Sequence, residues 1–463
     1  MNRSRMVMLL LTFVLALTGC GKNDSNSYNE SLINDKQKNN SITEEDESGS
    51  KAIKLDTMDT PYTQCFQNED DTYSLYIFAA PIQYYDGSSY RHIDNTLIET
   101  SDKNFSFENK DNVIKTYYPK NLDNEIMISD GYFSLPFRIM LDNKAFSEAQ
   151  LVGYKNIYGE DIKAILYKSD DTSVYLYSSN YGVEIETVYN TEKTTVPQII
   201  MNYKNDFPNH YDNANNGYIA LRKGTDFNDV EAIIHNPIIY DNNTYSPIME
   251  ANVDDYNDEN IISYSVNKPI KIVNQSIVLY TSNMPDSCVY SDFSKNQYLS
   301  RFSYLGSSDE LGEGVDYIRY RLDYFMKIDP QKVINTSYNF RTLSNGDISK
   351  YIVQENLGQW SSSGLSWKRR NKEFGHIETN YQITDNNYIA VDITDYSKKC
   401  FADETWMTES YGLAMSYDGD AQVLASSDNP MYVPYLKIDL NGLPEEFYPM
   451  NDINPREELG FVS

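Results

Sequence analysis

The sequence predicts an all-β protein of the sandwich or barrel class. Short runs of Tyr, Ile, Val, Phe and Thr recur from about residue 52 to residue 440, and Asp-Gly, Asn-Gly and Asn-Asn turns separate them. The 41 Tyr suit half-buried pleated surfaces, because the ring packs while the hydroxyl points outward. Stretches with helical spacing are few and short, and residues 348–354 are the best of them.

Asp-Gly pairs at 86–87 and 130–131 indicate two β-hairpins, since this dipeptide between alternating apolar runs is the strongest short hairpin signal. A polar turn at residues 168–171 indicates a third hairpin. The strands predicted in this half are residues 73–79, 82–85, 90–93, 125–129, 132–135, 162–167 and 174–177. Strands do not alternate with long helices, which argues against the α/β solute-binding lipoproteins of transporters.

Length and charge limit the function classes. The 463 residues allow about three domains by the usual size range. The 39 Lys+Arg against 68 Asp+Glu give a net charge of −29, which argues against binding to nucleic acid or electrostatic docking on anionic lipid. A mean hydropathy of −0.58 excludes a polytopic membrane protein. The 13% of aromatic residues exclude wholesale disorder.

Residues 1–19 are predicted to be a lipoprotein signal peptide. Arg3 and Arg5 precede an apolar stretch at 6–17 that is too short for a permanent transmembrane helix of roughly 20 residues. The following Leu-Thr-Gly-Cys resembles the bacterial lipobox, in which the cysteine is diacylated and the chain is cut just before it. The resemblance implies lipidation at Cys20 and a lipid anchor on the outer surface of a bacterial cell membrane.

Residues 20–51 are predicted to be a disordered tether, because Asn, Ser, Lys, Asp and Glu dominate without apolar periodicity. The tether would hold the folded part away from the membrane. Beyond the folded part, residues 441–463 are predicted to be a C-terminal tail.

Cys65, Cys288 and Cys400 remain once Cys20 is lipidated. Two arrangements are compatible with that count: one disulfide bridge plus one free thiol, or three buried thiols. No Cys or His spacing typical of a metal site is present, so the prediction is no metal site and no cofactor. A structural calcium ion is the exception left open. Residues 212–217 match the start of a calcium loop but fail at the third ligand, with Lys223 in place of the bidentate Glu, and residues 254–259 suit a polar turn better.

Residues 52–280 resemble the leading module of bacterial wall-associated and repeat-toxin-shell surface proteins. The phrase "pv.y.dg.W..ID.tL" of that module is matched at 81–87 and 90–97, with Tyr90 in place of Trp. A second phrase, "Y.ni..g.Di...y", is matched at 154–167. The Lys-Glu pair that follows in the family is missing, and Gly-Val-Glu-Ile-Glu stands at 182–186 instead. The resemblance implies an N-terminal β-rich module.

Residues 281–440 resemble the DNRLRE-type module of secreted bacterial proteins. Its phrases occur in order at 360–367, 390–396, 411–415 and 424–438. The "NN.P" expected after the second Trp is replaced by Lys-Arg-Arg-Asn, and the acidic-basic string that names the family is absent. The resemblance implies a C-terminal jelly-roll β-sandwich related to some carbohydrate-binding modules.

Trp360, Trp367 and Trp406 are the candidate ligand contacts, because exposed aromatic rings stack on sugars. Leu365 and Trp367 would share one face of a strand, and core packing is the favoured interpretation of Trp360 and Trp367. Trp406 lies in a polar stretch, so we expect it to be the exposed contact.

No catalytic residue is predicted. The 68 acidic residues define no particular carboxylate pair, and GxSxG, HExxH and Walker motifs are absent. The sequence therefore favours a lipid-anchored surface protein, not an enzyme, with a structural, adhesion or wall-association role. A glycan-binding lipoprotein that captures cell-wall or other polysaccharide is the first alternative, and a polysaccharide-cleaving enzyme in the N-terminal module is the second.

Overall fold

The computed structural model describes residues 52–141, 145–202, 218–222, 230–241, 244–247, 251–256, 259–266, 268–279, 286–292, 300–309, 311–320, 326–361, 364–384, 386–402 and 411–447. The predicted signal peptide, tether and lipidation site lie outside the described residues, as does Trp406.

The strands of the first half are β1 Ile53–Lys54, β2 Thr63–Gln67, β3 Tyr73–Phe78, β4 Gln83–Tyr85, β5 Tyr90–His92, β6 Asp94–Glu99, β7 Phe107–Asp111, β8 Lys115–Tyr118, β9 Ile126–Ser129, β10 Ser134–Met140, β11 Gln150–Lys155, β12 Asp161–Lys168, β13 Thr172–Ser178, β14 Gly182–Lys193, β15 Gln198–Met201, β16 Tyr218–Arg222, β17 Val230–Asp241, β18 Thr244–Pro247, β19 Ala251–Tyr256, β20 Glu259–Tyr264 and β21 Ile270–Val278. Those of the second half are β22 Asp286–Tyr290, β23 Phe302–Ser308, β24 Gly312–Ile318, β25 Met326–Lys327, β26 Val333–Arg341, β27 Tyr351–Asn356, β28 Phe374–Gly375, β29 Tyr381–Ile383, β30 Tyr388–Asp392, β31 Leu413–Tyr417, β32 Gln422–Ala425, β33 Tyr435–Leu440 and β34 Glu446–Phe447. The α-helix α1 spans Thr394–Ala402, and 3-10 helices span Asp56–Met58, Pro330–Lys332 and Ile348–Lys350.

The all-β prediction is confirmed, with 56% strand and 6% helix. All three predicted hairpins form, as β4 with β5, β9 with β10, and β12 with β13. The helical interpretation of residues 348–354 is wrong. Asp347 caps a single 3-10 turn by accepting a hydrogen bond from the Ser349 N–H, and the chain then enters β27, where Tyr351 and Val353 are buried at alternate positions.

Two eight-stranded antiparallel sheets form the first sandwich. One has the order β19-β20-β15-β10-β9-β8-β7-β6, and the other has the order β11-β12-β13-β14-β21-β17-β16 with β18 paired to β17. Their inward faces share one apolar core, to which Ile128 and Leu135 contribute from one sheet and Leu176 and Ile185 from the other. The outward face of the second sheet carries the polar cluster considered below.

The second sandwich is a jelly roll. Its sheets have the orders β1-β2-β3-β33-β26-β30-β29 and β28-β27-β31-β24-β23-β32, with β22 also paired to β24. The antiparallel pairs are nested along the chain: β3 with β33, β24 with β31, β26 with β30, and β27 with β28. This nesting of first strand with last is the jelly-roll arrangement.

The predicted boundary between residues 280 and 281 does not separate the two sandwiches. Strand β3, from the predicted N-terminal module, lies with β1 and β2 in a jelly-roll sheet, and its Leu75 and Ile77 lie opposite Ile438 and Leu436 of β33. The first sandwich is therefore inserted into the jelly roll between β3 and β22. Both edges of β3 are paired, one with β2 and the other with β33, so this strand lies inside the sheet.

Candidate functional site

The most unusual group of side chains is a buried polar cluster where the two sandwiches meet. On β14, Val183 and Ile185 point into the first sandwich, while Glu184 and Glu186 point to the opposite face because strand side chains alternate. Both carboxylates are buried, with 0% and 1% exposure. Ionised groups are found at such depth only when they are paired or hydrogen-bonded.

Arg301 of the jelly roll supplies the countercharge to Glu184. One guanidinium nitrogen lies 2.9 Å from Glu184 Oε2, and the other donates to the Asn274 carbonyl at 3.0 Å. Arg301 is itself 2% exposed, and its own carbonyl accepts a hydrogen bond from the Asn429 amide at 3.0 Å. The ion pair thus joins β14 and β21 of the first sandwich to two segments of the jelly roll.

Glu186 is held without a cation. It accepts hydrogen bonds from the Tyr154 hydroxyl, from the Tyr177 hydroxyl at 3.2 Å and from the Ile157 N–H at 3.2 Å. Burial raises the pKa of Glu186 to about 7, and these hydrogen bonds act in the opposite direction. Glu186 is therefore poised to exchange a proton near neutral pH. We call Glu184, Glu186, Arg301, Tyr154 and Tyr177 the junction.

A second contact at the rim ties the same two sandwiches together. Arg341 of β26 forms an ion pair with Glu160 at 3.1 Å, and its guanidinium lies 4.1 Å from the centre of the Tyr432 ring. The side chains of this pair are only 12% and 23% exposed. Charged and aromatic groups thus hold the connection between β11 and β12 against the jelly roll.

A second group of buried carboxylates lies inside the jelly roll. Asp286 accepts a hydrogen bond from the Ser427 N–H at 2.8 Å, and Asp316 accepts one from the Ser303 hydroxyl at 2.8 Å. Burial raises the pKa of Asp316 to about 7. Burial is the largest cause that raises the pKa of Asp286 well above its usual range, and the nearby charges of Asp316 and Asp428 raise it further. These carboxyls are expected to be largely protonated below neutral pH.

The structure places Trp360 and Trp367 in a loop that covers the outer face of β24 and β31. Trp360 donates its indole N–H to the Tyr411 carbonyl at 2.6 Å, and its ring centre lies 5.8 Å from that of Tyr317. Trp367 is half-buried beneath the guanidinium of Arg370, 3.4 Å from its ring centre.

The strand predicted for Leu365 and Trp367 is wrong. Hydrogen bonds to the Ser361 carbonyl from the Gly364 and Leu365 N–H groups close turns instead of a ladder. Leu365 is buried in the small cluster under the loop, whereas Trp367 remains partly exposed. Trp360 and Trp367 therefore pack against the same small cluster. Trp406 lies outside the described residues.

Replacing Trp360 by Ala should lower the free energy of unfolding by about 2–4 kcal/mol, since the ring loses packing and the Tyr411 carbonyl keeps only the Asn356 amide as a donor. Replacing Trp367 by Ala should cost less, about 1–2 kcal/mol, because its partly exposed ring loses some packing on the same small cluster and its cation–π contact with Arg370. Urea denaturation of both variants measures the difference. A larger loss for Trp367→Ala than for Trp360→Ala would contradict this arrangement of the loop.

The three cysteines that remain after Cys20 are buried and unbridged, so of the two options the three buried thiols are observed. Among the described residues, no group of three or more His, Cys, Asp or Glu side chains could hold a metal ion. Cys400 lines a mainly apolar cavity of about 30 Å³ beside α1. This cavity is large enough for one water molecule and too small for a sugar.

Sequence reasoning missed the junction. The alternation Gly-Val-Glu-Ile-Glu at 182–186 indicates two acidic side chains on one face of a strand. Nothing in the sequence shows that this face is covered, because the covering residue, Arg301, is 117 positions from Glu184.

In the described part of the chain, no helix is both long enough and apolar enough to cross a membrane. No protein-family model matches the chain, and no curated protein matches it. Among solved structures, it is similar to a mutant of a glycoside hydrolase family 81 from Clostridium thermocellum, with 8% sequence identity and a TM-score of 0.24. The match covers 73% of this chain and 42% of that one, so this chain spans less than half the length of that protein. A likeness at this level carries no conclusion about activity.

Proposed function

We propose that the protein is a lipid-anchored bacterial surface protein with a non-catalytic structural, adhesion or wall-association role. The burial of four carboxyls whose pKa is raised carries this proposal. Glu184, Glu186, Asp286 and Asp316 are between 0% and 4% exposed. A glycosidase needs two carboxyls that flank the bond to be cut, and a polysaccharide could not reach any of these four.

The contacts between the sandwiches support a structural role. The Arg301–Glu184 pair and the Arg341–Glu160 pair both join the first sandwich to the jelly roll. Strands β1–β3 also place the start of the folded chain in a jelly-roll sheet. Two domains joined only by a flexible linker could be pulled apart by a force on the tether. In a protein fixed at one end, these connections would keep the two sandwiches together under such a force.

Substitution of Cys20 by Ala should abolish acylation and leave an unprocessed precursor, since the thiol carries the lipid. The wild-type protein should partition into the detergent phase on Triton X-114 separation, and Cys20→Ala should not carry acyl chains by mass spectrometry. Ser25→Ala, in the predicted tether, is the control and should behave as wild type. Acyl chains on Cys20→Ala, or a wild type without them, would refute the lipid anchor.

A wall-association role is tested by sedimentation of the detergent-solubilised protein with purified bacterial cell walls. The protein should pellet with the walls and remain in solution without them. If it stays in solution with walls and also binds no glycan on an array, both the wall-association role and the glycan-binding alternative fail.

The partly exposed Trp367 favours glycan binding as the second candidate function. Its ring lies at the surface of the jelly roll under Arg370, and Ile352 on neighbouring β27 is 41% exposed. An aromatic ring beside a guanidinium can stack on a sugar and donate hydrogen bonds to its hydroxyls. Loss of array binding by Trp367→Ala, with folding intact, would favour this candidate over a purely structural role.

A further inference from the structure

Lys54 lies in a buried polar cluster where the described chain begins. It is the second residue of the edge strand β1, and its side chain is 17% exposed. Its ammonium nitrogen lies 2.9 Å from Asp59 Oδ2 and 3.4 Å from the side-chain carbonyl oxygen of Gln83. An amine, a carboxyl group and a carboxamide are therefore in mutual contact in a nearly dry site.

The Gln83 side chain is fixed at both ends. It is 0% exposed, and its amide nitrogen donates to the Thr60 carbonyl at 2.7 Å and to the Thr63 carbonyl at 3.1 Å. Its carbonyl oxygen also accepts a hydrogen bond from the Gln64 amide at 3.1 Å. The Gln64 amide thus points at the oxygen on which negative charge would develop if the Lys54 amine added to the amide carbon.

Asp59 is suited to carry a proton between the two groups. Its side chain is 1% exposed, and Oδ1 has no hydrogen-bond partner. Burial raises the pKa of Asp59, while contacts with Lys54 and with the Gln83 amide act in the opposite direction. In a site of low polarity, proton transfer from Lys54 to Asp59 replaces two buried charges by two neutral groups.

We propose that Lys54 Nζ and the side-chain carbon Cδ of Gln83 join in an intramolecular isopeptide bond, with Asp59 as the proton carrier. This modification goes beyond the proposed function and does not depend on the lipid anchor.

The atoms balance without any co-reactant. Asp59 takes one proton from Lys54, and the neutral amine attacks Gln83 Cδ, so that a C–N bond forms and the oxygen becomes an oxyanion. Asp59 passes its proton to Nε2 and takes the second proton from the attacking nitrogen. The bond from Cδ to Nε2 breaks, and ammonia leaves, which then accepts the remaining proton as ammonium. Attack requires Nζ and Cδ to approach within about 3–3.5 Å, and the hydrogen bond from Lys54 Nζ to the Gln83 carbonyl oxygen holds the amine beside that carbonyl.

Trypsin digestion and mass spectrometry of the full-length, detergent-solubilised protein test the proposal. No Lys or Arg occurs between Lys54 and Arg91, so the unmodified chain gives peptides 52–54 and 55–91. An acylated Lys54 is not cut, so the modified chain gives one peptide, 52–91, lighter by one ammonia. A second cut after Glu69 should leave its two parts joined, because the bond spans the cut.

Matched variants assign the residues. Lys54→Arg keeps the positive charge beside Asp59 but lacks the nucleophile, so it should give no joined peptides. Asp59→Asn should slow joining by about a hundredfold or more, the scale of proton-transfer catalysis. Lys103→Arg, on an exposed loop, should join as wild type does. Circular dichroism verifies that each variant is folded.

Two results would overturn the proposal. The first is quantitative recovery of unmodified peptides 52–54 and 55–91 from the wild type. The second is a peptide lighter by one water whose parts separate after the cut at Glu69, because that would place the bond between Lys54 and Asp59.

Discussion

Replacing Arg301 by Met should lower the free energy of unfolding by about 3–5 kcal/mol, the cost of leaving a buried charge without its partner. Glu184 would retain no cation at 0% exposure, and the Asn274 carbonyl would lose its guanidinium donor. Burial already raises the pKa of Glu184, and the Arg301 charge is what opposes that effect. Chemical denaturation of both proteins at neutral pH measures the loss.

A second substitution separates the charge effect from the loss of packing. In Arg301→Met with Glu184→Gln, both charges of the ion pair are removed, so most of the lost stability should return. Lys120→Met is the surface control. Its partner Glu148 is 65% exposed, and breaking this pair should cost about 1 kcal/mol or less. Equal losses for the single and double junction variants would show that the charge of Glu184 is not the cause.

The contribution of Asp316 to the free energy of unfolding should fall as the pH rises from about 4 to about 7. Folding raises the pKa of Asp316 from the ordinary 3.8 to about 7, so the folded state binds more protons than the unfolded state within this window. The stabilisation that protonated Asp316 contributes is complete below pH 3.8 and is lost by about pH 7. Glu186, whose pKa burial also raises, contributes in the same direction, whereas the lowered pKa of His92 acts in the opposite direction.

Asp316→Asn isolates that contribution, since an amide keeps the shape without titrating. Its stability should decline less steeply than that of the wild type between pH 4 and pH 7. Asp102→Asn, at an exposed position, should follow the wild-type curve. Parallel curves for wild type and Asp316→Asn would show that Asp316 is ionised throughout this range.

Local signals in the sequence were sufficient for the hairpins. Asp-Gly at 130–131 marks the turn between β9 and β10, where Gly131 has a φ of 87° that favours glycine. The prediction of a strand through Leu365 and Trp367 is wrong for an equally local reason. The spacing of two apolar residues two positions apart does not distinguish a strand from consecutive turns. The run Ser-Ser-Ser-Gly at 361–364 is a turn signal in the sequence, and hydrogen bonds to the Ser361 carbonyl form those turns.

The junction and the shared sheet could not be predicted in the same way. Pairing of β3 with β33 joins Ser74 to Asp439 across 365 positions, and no short motif encodes a partner that distant. The acidic residues of β14 were visible as an alternating pattern, but the identity of the covering residue depends on how the jelly roll closes. Burial of Glu184 is therefore a property of the tertiary arrangement.

The position of β3 at the start of the chain and of β33 near its end has a consequence for how the protein matures. A ribosome completes β3 long before it makes β33, so the jelly roll cannot close while synthesis is under way. The first sandwich has its strands in one continuous stretch and can close earlier. Contacts between residues so far apart in sequence make folding slow. A chain that truncation deprives of residues 435–440 would leave β3 with an open edge, a template for aggregation.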